Sequence, residues 1–284
     1  MRGYATVNGA ATIINAVATW KGSAFGIGLK TSAEVELNSS GSIKGEVPGV
    51  DTRLIERCVQ LVLQRFGCDC TYGAAIRTWS EIPVASGLKS SSTAANASVL
   101  AALDALGKDM DLMEAAKIGV AAARDVGVTI TGALDDALAS MLGGVVVTDN
   151  REMKLLKRDE LDSAVMLLVP DSKLFSKDTD VRRSRLIAPL AEVAFDLAMD
   201  GDYCRAMILN GFAYCGALEL STEPMLRALE AGARGVSLSG TGPSYAALIA
   251  DDKIDDLAAS WSDLGGRVIS TEVNNRAASV GRGI

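Results

Sequence analysis

The segment Pro83-Val84-Ala85-Ser86-Gly87-Leu88-Lys89-Ser90-Ser91-Ser92-Thr93 runs directly into a stretch rich in alanine (Ala94, Ala95, Ala97, Ala101, Ala102). Glycine among small residues lets the main chain approach a ligand closely. The hydroxyls of Ser90, Ser91 and Ser92 stand where a helix would begin. Free backbone N–H groups and the positive end of the helix dipole gather at such a place, which suits a phosphate chain. The plainer reading is a loop whose serine caps the helix. A second cluster, Ser237-Leu238-Ser239-Gly240-Thr241-Gly242-Pro243-Ser244, reads either as a rigid turn with amides facing a ligand or as a simple hairpin turn. A third is Thr131-Gly132-Ala133-Leu134-Asp135-Asp136. Its carboxylates either cap a helix start or supply a base for a hydroxyl that attacks ATP. The combined chemistry is that of a small-molecule kinase. The first loop lacks the G-x-x-x-x-G-K-[ST] spacing, so a conventional P-loop kinase is excluded.

Composition narrows the base. The chain has 284 residues, 49% hydrophobic and 22% charged, with a net charge of -7 and no histidine. Absence of histidine removes Ser-His-Asp, Cys-His and His-ligated zinc mechanisms, leaving Asp, Glu, Lys, Tyr or Cys as the base. The acidic balance argues against nucleic-acid binding but not against a nucleotide held by local amides. Cys58, Cys68, Cys70, Cys204 and Cys215 are scattered and odd in number, which fits incidental thiols in a reducing compartment. Asn15 interrupts the mildly apolar run after Asn8, and no apolar stretch of about 18 residues follows. The expectation is a cytoplasmic protein with small-molecule partners, no nucleic acid and no membrane; a homo-oligomer is left open.

The elements that must position these groups follow from spacing. Residues 4–37 read as strands, and 38–50 as a turn region. Thr52 to Phe66 reads as a helix with Leu54, Ile55, Cys58, Leu61 and Val62 on one face. A strand over 71–79 leads to the Pro83 loop. Asp111 is a good N-cap for a helix over 112–126, ended by Gly127. Residues 128–136 read as a short strand opening into a short helix. Segments 145–148, 153–156 and 164–169 read as strands of one sheet. A charged loop over 173–185 precedes helices near 186–199, 203–219 and 223–232. Strands at 235–238 and 244–250 flank the second glycine turn, followed by a helix over 252–264 and a last strand at 267–273. The pattern suggests a split β-α-β half and an α+β chain of two lobes, divided as 1–160 and 161–284.

Three signals in order resemble those of the GHMP kinase superfamily: Pro83-x3-Gly87-Leu88-x-Ser90-Ser91-Ser92, Gly132-Ala133-Leu134-Asp135-Asp136 and Ser239-Gly240-Thr241-Gly242-Pro243. Within it, Gly9-Ala10-Ala11-Thr12-Ile13-Ile14-Asn15-Ala16, Lys21-Gly22-Ser23-Ala24-Phe25-Gly26 and Thr129 to Asp136 resemble the archaeal shikimate kinase group. The resemblance implies a two-lobed GHMP kinase fold: an N-terminal ribosomal-protein-S5-like lobe with a left-handed β-α-β unit and a C-terminal ferredoxin-like lobe. It implies ATP and Mg²⁺ as cofactors and shikimate as acceptor, with homoserine, mevalonate-type or galactose acceptors and a non-catalytic ligand sensor as the rival readings. Carried over by residue, Asp135 is the catalytic group. Pro83, Ser86, Gly87, Leu88, Ser90, Ser91, Ser92, Gly240, Thr241 and Gly242 surround the nucleotide. Ser91 holds Mg²⁺ together with a carboxylate near Arg124, where Asp125 is the residue available. The lysine found early in mevalonate kinases is absent, and Asn8 stands there. An acceptor carrying a carboxylate and hydroxyls calls for a cation. Lys21 and one of Arg182, Arg183 and Arg185 are candidates, Arg183 foremost, with Asn15 and Ser23 for the hydroxyls.

Overall fold

The computed structural model describes residues 1–49, 51–83, 86–172 and 179–281. Val50, the loop residues Val84 and Ala85, and residues 173–178 of the expected charged loop lie outside the described residues. The centre of the molecule is the long antiparallel pair β1 (Arg2–Ile14) and β2 (Lys21–Asn38). Alternation sends successive side chains to opposite faces, and a register shift between Asn8 and Gly9 resets it along β1, so Val7, Ala10 and Ala24 join one apolar cluster while Ala11, Ile13 and Phe25 join another. With both faces covered, β1 is buried over nearly its whole length.

The first lobe adds β3 (Ile43–Gly45), α1 (Arg53–Arg65), β4 (Gly73–Ser80), α2 (Ser90–Leu106), α3 (Leu112–Asp125), α4 (Leu134–Leu142), β5 (Val145–Asp149) and β6 (Lys154–Asp159). β3 pairs parallel with β4 and is joined to it through α1, a β-α-β unit. The alanines of α2 let it lie directly on β1: a Cβ at Gly3 would fall 2.2 Å from Ala101 O. Asp111 caps α3 by accepting from the N–H groups of Met113 and Glu114, as its position predicts.

The second lobe holds β7 (Ala164–Val169), α5 (Val181–Leu186), α6 (Ala188–Met199), α7 (Tyr203–Leu218), α8 (Glu223–Glu230), β8 (Gly235–Leu238), β9 (Tyr245–Ile249), α9 (Ile254–Trp261) and β10 (Arg267–Glu272). Its sheet runs β10-β7-β9-β8, all pairs antiparallel, the strand order of a β-α-β-β-α-β ferredoxin-like unit. The last strand, β11 (Ser279–Val280), returns to pair with β1. The chain therefore has the α+β, two-lobed architecture expected of it.

Several sequence expectations are corrected. Residues 128–131 form no strand, although Val128, Thr129 and Ile130 favour one; side chains described below claim that segment. β7 leaves the sheet of β5 and β6 and founds the second one. Short strands at Ile43–Gly45 and Ser279–Val280 had no pattern of their own and exist through their partners β4 and β1. Among the described residues no helix is long and apolar enough to cross a membrane, and all five cysteines are free thiols.

Candidate active site

The two glycine loops lock together. Ser239 Oγ donates to Gly87 O at 2.9 Å, and Ser244 N–H donates to Ser86 O at 3.1 Å. Gly87 has φ +83°, and a Cβ there would sit 2.3 Å from Ser239 O and 2.9 Å from Gly242 O. Only glycine permits that backbone and that approach. β1 braces the second loop from below: Gly240 N–H donates to Thr12 Oγ1 at 2.8 Å, and Thr12 N–H to Ser239 Oγ at 3.4 Å. Asn15 Nδ2 donates to Gly240 O at 2.8 Å while its Oδ1 accepts Val17 N–H at 2.9 Å. One bond at each end of that amide makes Asn15 a brace of the second loop.

Within the first loop, Ser86 Oγ donates to Pro83 O at 2.7 Å and accepts Leu88 N–H at 3.4 Å. Leu88 is fully buried in the apolar cluster with Ile13 and Phe25. These two residues shape and anchor the loop, and their side chains are turned into the protein. Lys89, left-handed at φ 67°, occupies the N-cap of α2 with no side-chain cap bond, so no serine caps this helix. Ser90, Ser91 and Ser92 form its first turn, with Ser91 exposed. Their hydroxyls and N–H groups make no hydrogen bond among the described residues. A helix start leaves such donors open, and here they lie beside a backbone cradle.

The acid is held just as firmly. Residues 128–133 enter α4 through Gly132 at φ +90° and Ala133 at φ +51°. The missing Cβ of Gly132 makes room for the Arg124 guanidinium, whose Nη2 donates to Thr131 O at 3.1 Å and Asn150 O at 3.3 Å. Asn150 is fully buried; its Nδ2 donates to Asp135 Oδ1 at 2.8 Å, and its Oδ1 accepts Thr148 Oγ1–H at 2.7 Å. Asp136 Oδ1 lies 3.0 Å from Lys89 Nζ, an ion pair whose two side chains are both one-tenth exposed. Ala133 holds the N-cap of α4 with no side-chain cap bond, and both carboxylates stand in the helix's first turn. Burial pushes the Asp135 carboxyl up to about 7, helped by the charge of Asp136 and opposed by Lys89 and the Asn150 hydrogen bond. Burial also raises Asp136, against the pull of Lys89.

Gly22 of β2 faces this acid: a Cβ there would lie 2.6 Å from Asp135 Cγ and 2.7 Å from Oδ2. If Asp135 is the reacting group, the Gly22→Ala variant is expected to keep its fold and to lose about 10²-fold in kcat, because the new Cβ displaces that carboxylate. Steady-state kinetics beside a melting curve checks this, and an unchanged kcat would deny that the carboxylate needs its present place.

Lys21 and Ser23 flank Gly22 and so project from the opposite face of β2. Lys21 Nζ lies 5.0 Å from the Phe195 ring centroid, and Ser23, fully buried, donates to Val146 O at 2.8 Å. They stand across the strand from the Gly22–Asp135 contact. Asp125 is misplaced for a metal: its Oδ2 is 2.6 Å from Arg57 Nη2 on α1, while the neighbouring Arg124 takes the inner side. Among the described residues no group of three or more Cys, Asp or Glu side chains forms a metal cage. Arg183 pairs with Glu219 at the end of α7. The next residue, Leu220, packs over the second loop, its Cδ1 2.9 Å from where a Cβ on Gly242 would be. Sequence reasoning missed Asn150, which lies in no quoted segment, and gave no role to Thr12, Gly22 or Lys89, which it quoted only as members of the segments that carry the resemblance.

Residues 53–144 match the GHMP kinases N-terminal domain. A shikimate kinase of Methanosarcina mazei is 63% identical over 285 residues, covering 98% of this chain and 96% of its own. One of Methanothrix thermoacetophila is 60% identical, covering 99% and 97%. The crystal structure of Methanococcus jannaschii mevalonate kinase superposes with a TM-score of 0.74 at 15% identity, covering 95% of this chain and 98% of that one, which speaks for the fold alone. Interlocked loops, a buried acid pair and near full-length identity to these archaeal proteins agree: the chain belongs to the GHMP kinase family, in the group that contains the archaeal shikimate kinases.

Proposed function

We propose that this chain transfers the γ-phosphoryl group of ATP to the 3-hydroxyl of shikimate, giving shikimate 3-phosphate and ADP. The observation that carries the reading is the meeting of two glycine loops, 152 positions apart at their Ser239–Gly87 hydrogen bond, beside a buried acid pair held by Asn150 and Lys89. Phosphoryl transfer asks chiefly for positioning and charge neutralisation. The N–H groups and hydroxyls of Ser90–Ser92 receive phosphate oxygens, and Gly240, Thr241 and Gly242 close the cradle from the other side. Asp135 accepts the proton of the attacking hydroxyl; a base titrating near the working pH is the most effective kind. Asn150 fixes which way its carboxylate turns.

The residues fit a magnesium ion that arrives with the nucleotide. Such ions keep water and phosphate ligands and take only one or two protein groups. Ser91 offers its unbonded hydroxyl, and two buried acids against one lysine leave a complementary negative charge. Bound there, Mg²⁺ would neutralise phosphate oxygens. Asp125, committed to Arg57, is not among the holders. For the acceptor carboxylate, Arg183 is the cation we favour, from its place at the α7 terminus that covers the Gly242 loop.

The test is ADP release measured with shikimate, homoserine, mevalonate and galactose in turn. Shikimate is expected to stimulate release over the others. Stimulation by another acceptor would reassign the substrate, and none with any acceptor would favour a ligand sensor.

A further inference from the structure

Lys89 sits in a left-handed backbone conformation, φ 67° and ψ 28°. For a residue with a Cβ that costs roughly 1–2 kcal/mol, a cost that glycine would avoid. Nothing in the backbone asks for lysine, so the explanation must lie in the side chain. Its ammonium is almost wholly buried, 3.0 Å from Asp136 Oδ1. It also lies 2.9 Å from the position a Cβ on Gly240 would take. One cation thus touches all three parts of the site: the first loop, which carries it, the second loop, and the acid pair. A buried ion pair is by itself weak evidence for stability, because desolvation offsets the attraction. Strain and a buried charge kept together at a ligand cradle point to function.

We propose that Lys89 is a catalytic residue of the transfer step, resting on Asp136 until the triphosphate enters and then neutralising the oxygens of the phosphoryl group in flight. In that step the bond from the γ-phosphorus to the bridging oxygen breaks, its electron pair leaving with ADP. The acceptor oxygen bonds to phosphorus, and its proton passes to Asp135. Negative charge moves toward the leaving oxygen, so an ammonium fixed at the loop junction binds the transition state more tightly than the bound substrates. The second carboxylate gains a purpose: Asp136 keeps the lysine in place while the cradle is empty. This inference rests on the kinase reading above and deepens it.

Two variants test it beside the wild type, with shikimate as acceptor and MgADP binding measured separately. Lys89→Gly relaxes the backbone while deleting the cation. Lys89→Met combined with Asp136→Asn removes both charges together, so that no buried carboxylate loses its partner. Both are expected to bind MgADP nearly as the wild type does while kcat falls about 10²–10³-fold, the loss typical of one transition-state donor. Near-wild-type turnover in either variant overturns the proposal. So does a loss of turnover matched by an equal loss of MgADP affinity, or failure of both variants to fold, since either makes Lys89 a ground-state or structural residue. A wild-type chain without shikimate-stimulated ADP release would instead overturn the kinase reading.

Discussion

Asp135→Asn is expected to lower kcat by roughly 10²–10⁴-fold and to raise the melting temperature by an amount that grows as pH rises toward neutral. Asparagine keeps an oxygen at the Oδ1 position, where Asn150 Nδ2 donates at 2.8 Å, so the local scaffold survives the change. What disappears is a proton acceptor and a buried charge. The Asp135 carboxyl stands at about 7 in the folded chain against an ordinary 3.8. A raised value means that the folded state favours the protonated form. Its stability contribution is complete below the unfolded value and is lost as pH rises through the folded one. At pH 8 the wild type therefore carries an ionised group in a site that resists it. Removing that charge should raise Tm by about 2–4 °C for each kcal/mol relieved. The penalty builds between the two values, so calorimetry should show a gain at pH 8 about twice that at pH 5.5 and none near pH 3, and kcat/KM of the wild type should climb as Asp135 loses its proton near pH 7. Turnover close to wild type in the variant would remove Asp135 from the mechanism; a Tm indifferent to pH would deny that its charge is buried.

Gly87→Ala should uncouple the two halves of the cradle. The new Cβ would lie 2.3 Å from Ser239 O and 2.9 Å from Gly242 O, at a residue with φ +83°. Both obstacles are backbone atoms, so no side chain can swing aside. The loops must part, and with them goes the Ser239–Gly87 hydrogen bond. Left-handed strain of about 1–3 kcal/mol and a lost hydrogen bond of about 1 kcal/mol come out of stability. Efficiency with ATP should fall about 10²-fold, the scale of an ångström-sized misplacement. Gly41→Ala is the matched control: its φ is +70°, yet a Cβ there meets nothing within 4 Å. It should cost some stability and leave ATP kinetics intact. Equal kinetic effects from both would show that the interlock is dispensable.

The loops were legible because a phosphate cradle restricts residue type at consecutive positions. Gly87, Ser90–Ser92, Gly240 and Gly242 each answer a steric or hydrogen-bonding demand made within a few residues. Asp111 and Gly127 marked the ends of α3 for the same local reason. Residues 128–131 misled because β-branched residues favour strands, whereas Arg124 and Asn150 draw that segment into a loop around Asp135. Lys21 and Ser23 stand on the opposite face of β2 from Gly22 because successive residues of a strand alternate. Asp125 misled because one step along a helix turns a side chain by about 100°, here away from the site and onto Arg57.

The sequence by itself determined the acidic, histidine-free composition, the α+β pattern of two lobes, the two glycine loops and the aspartate between them. Each of these depends on residue type and short spacing. Tertiary structure alone decided that the loops interlock, that Asn150 and Gly22 set the Asp135 carboxylate, and that Lys89 meets Asp136. Those contacts join residues far apart along the chain. Their specificity comes from the packing of β1, β2, α2 and α4 around one point, which no local pattern encodes.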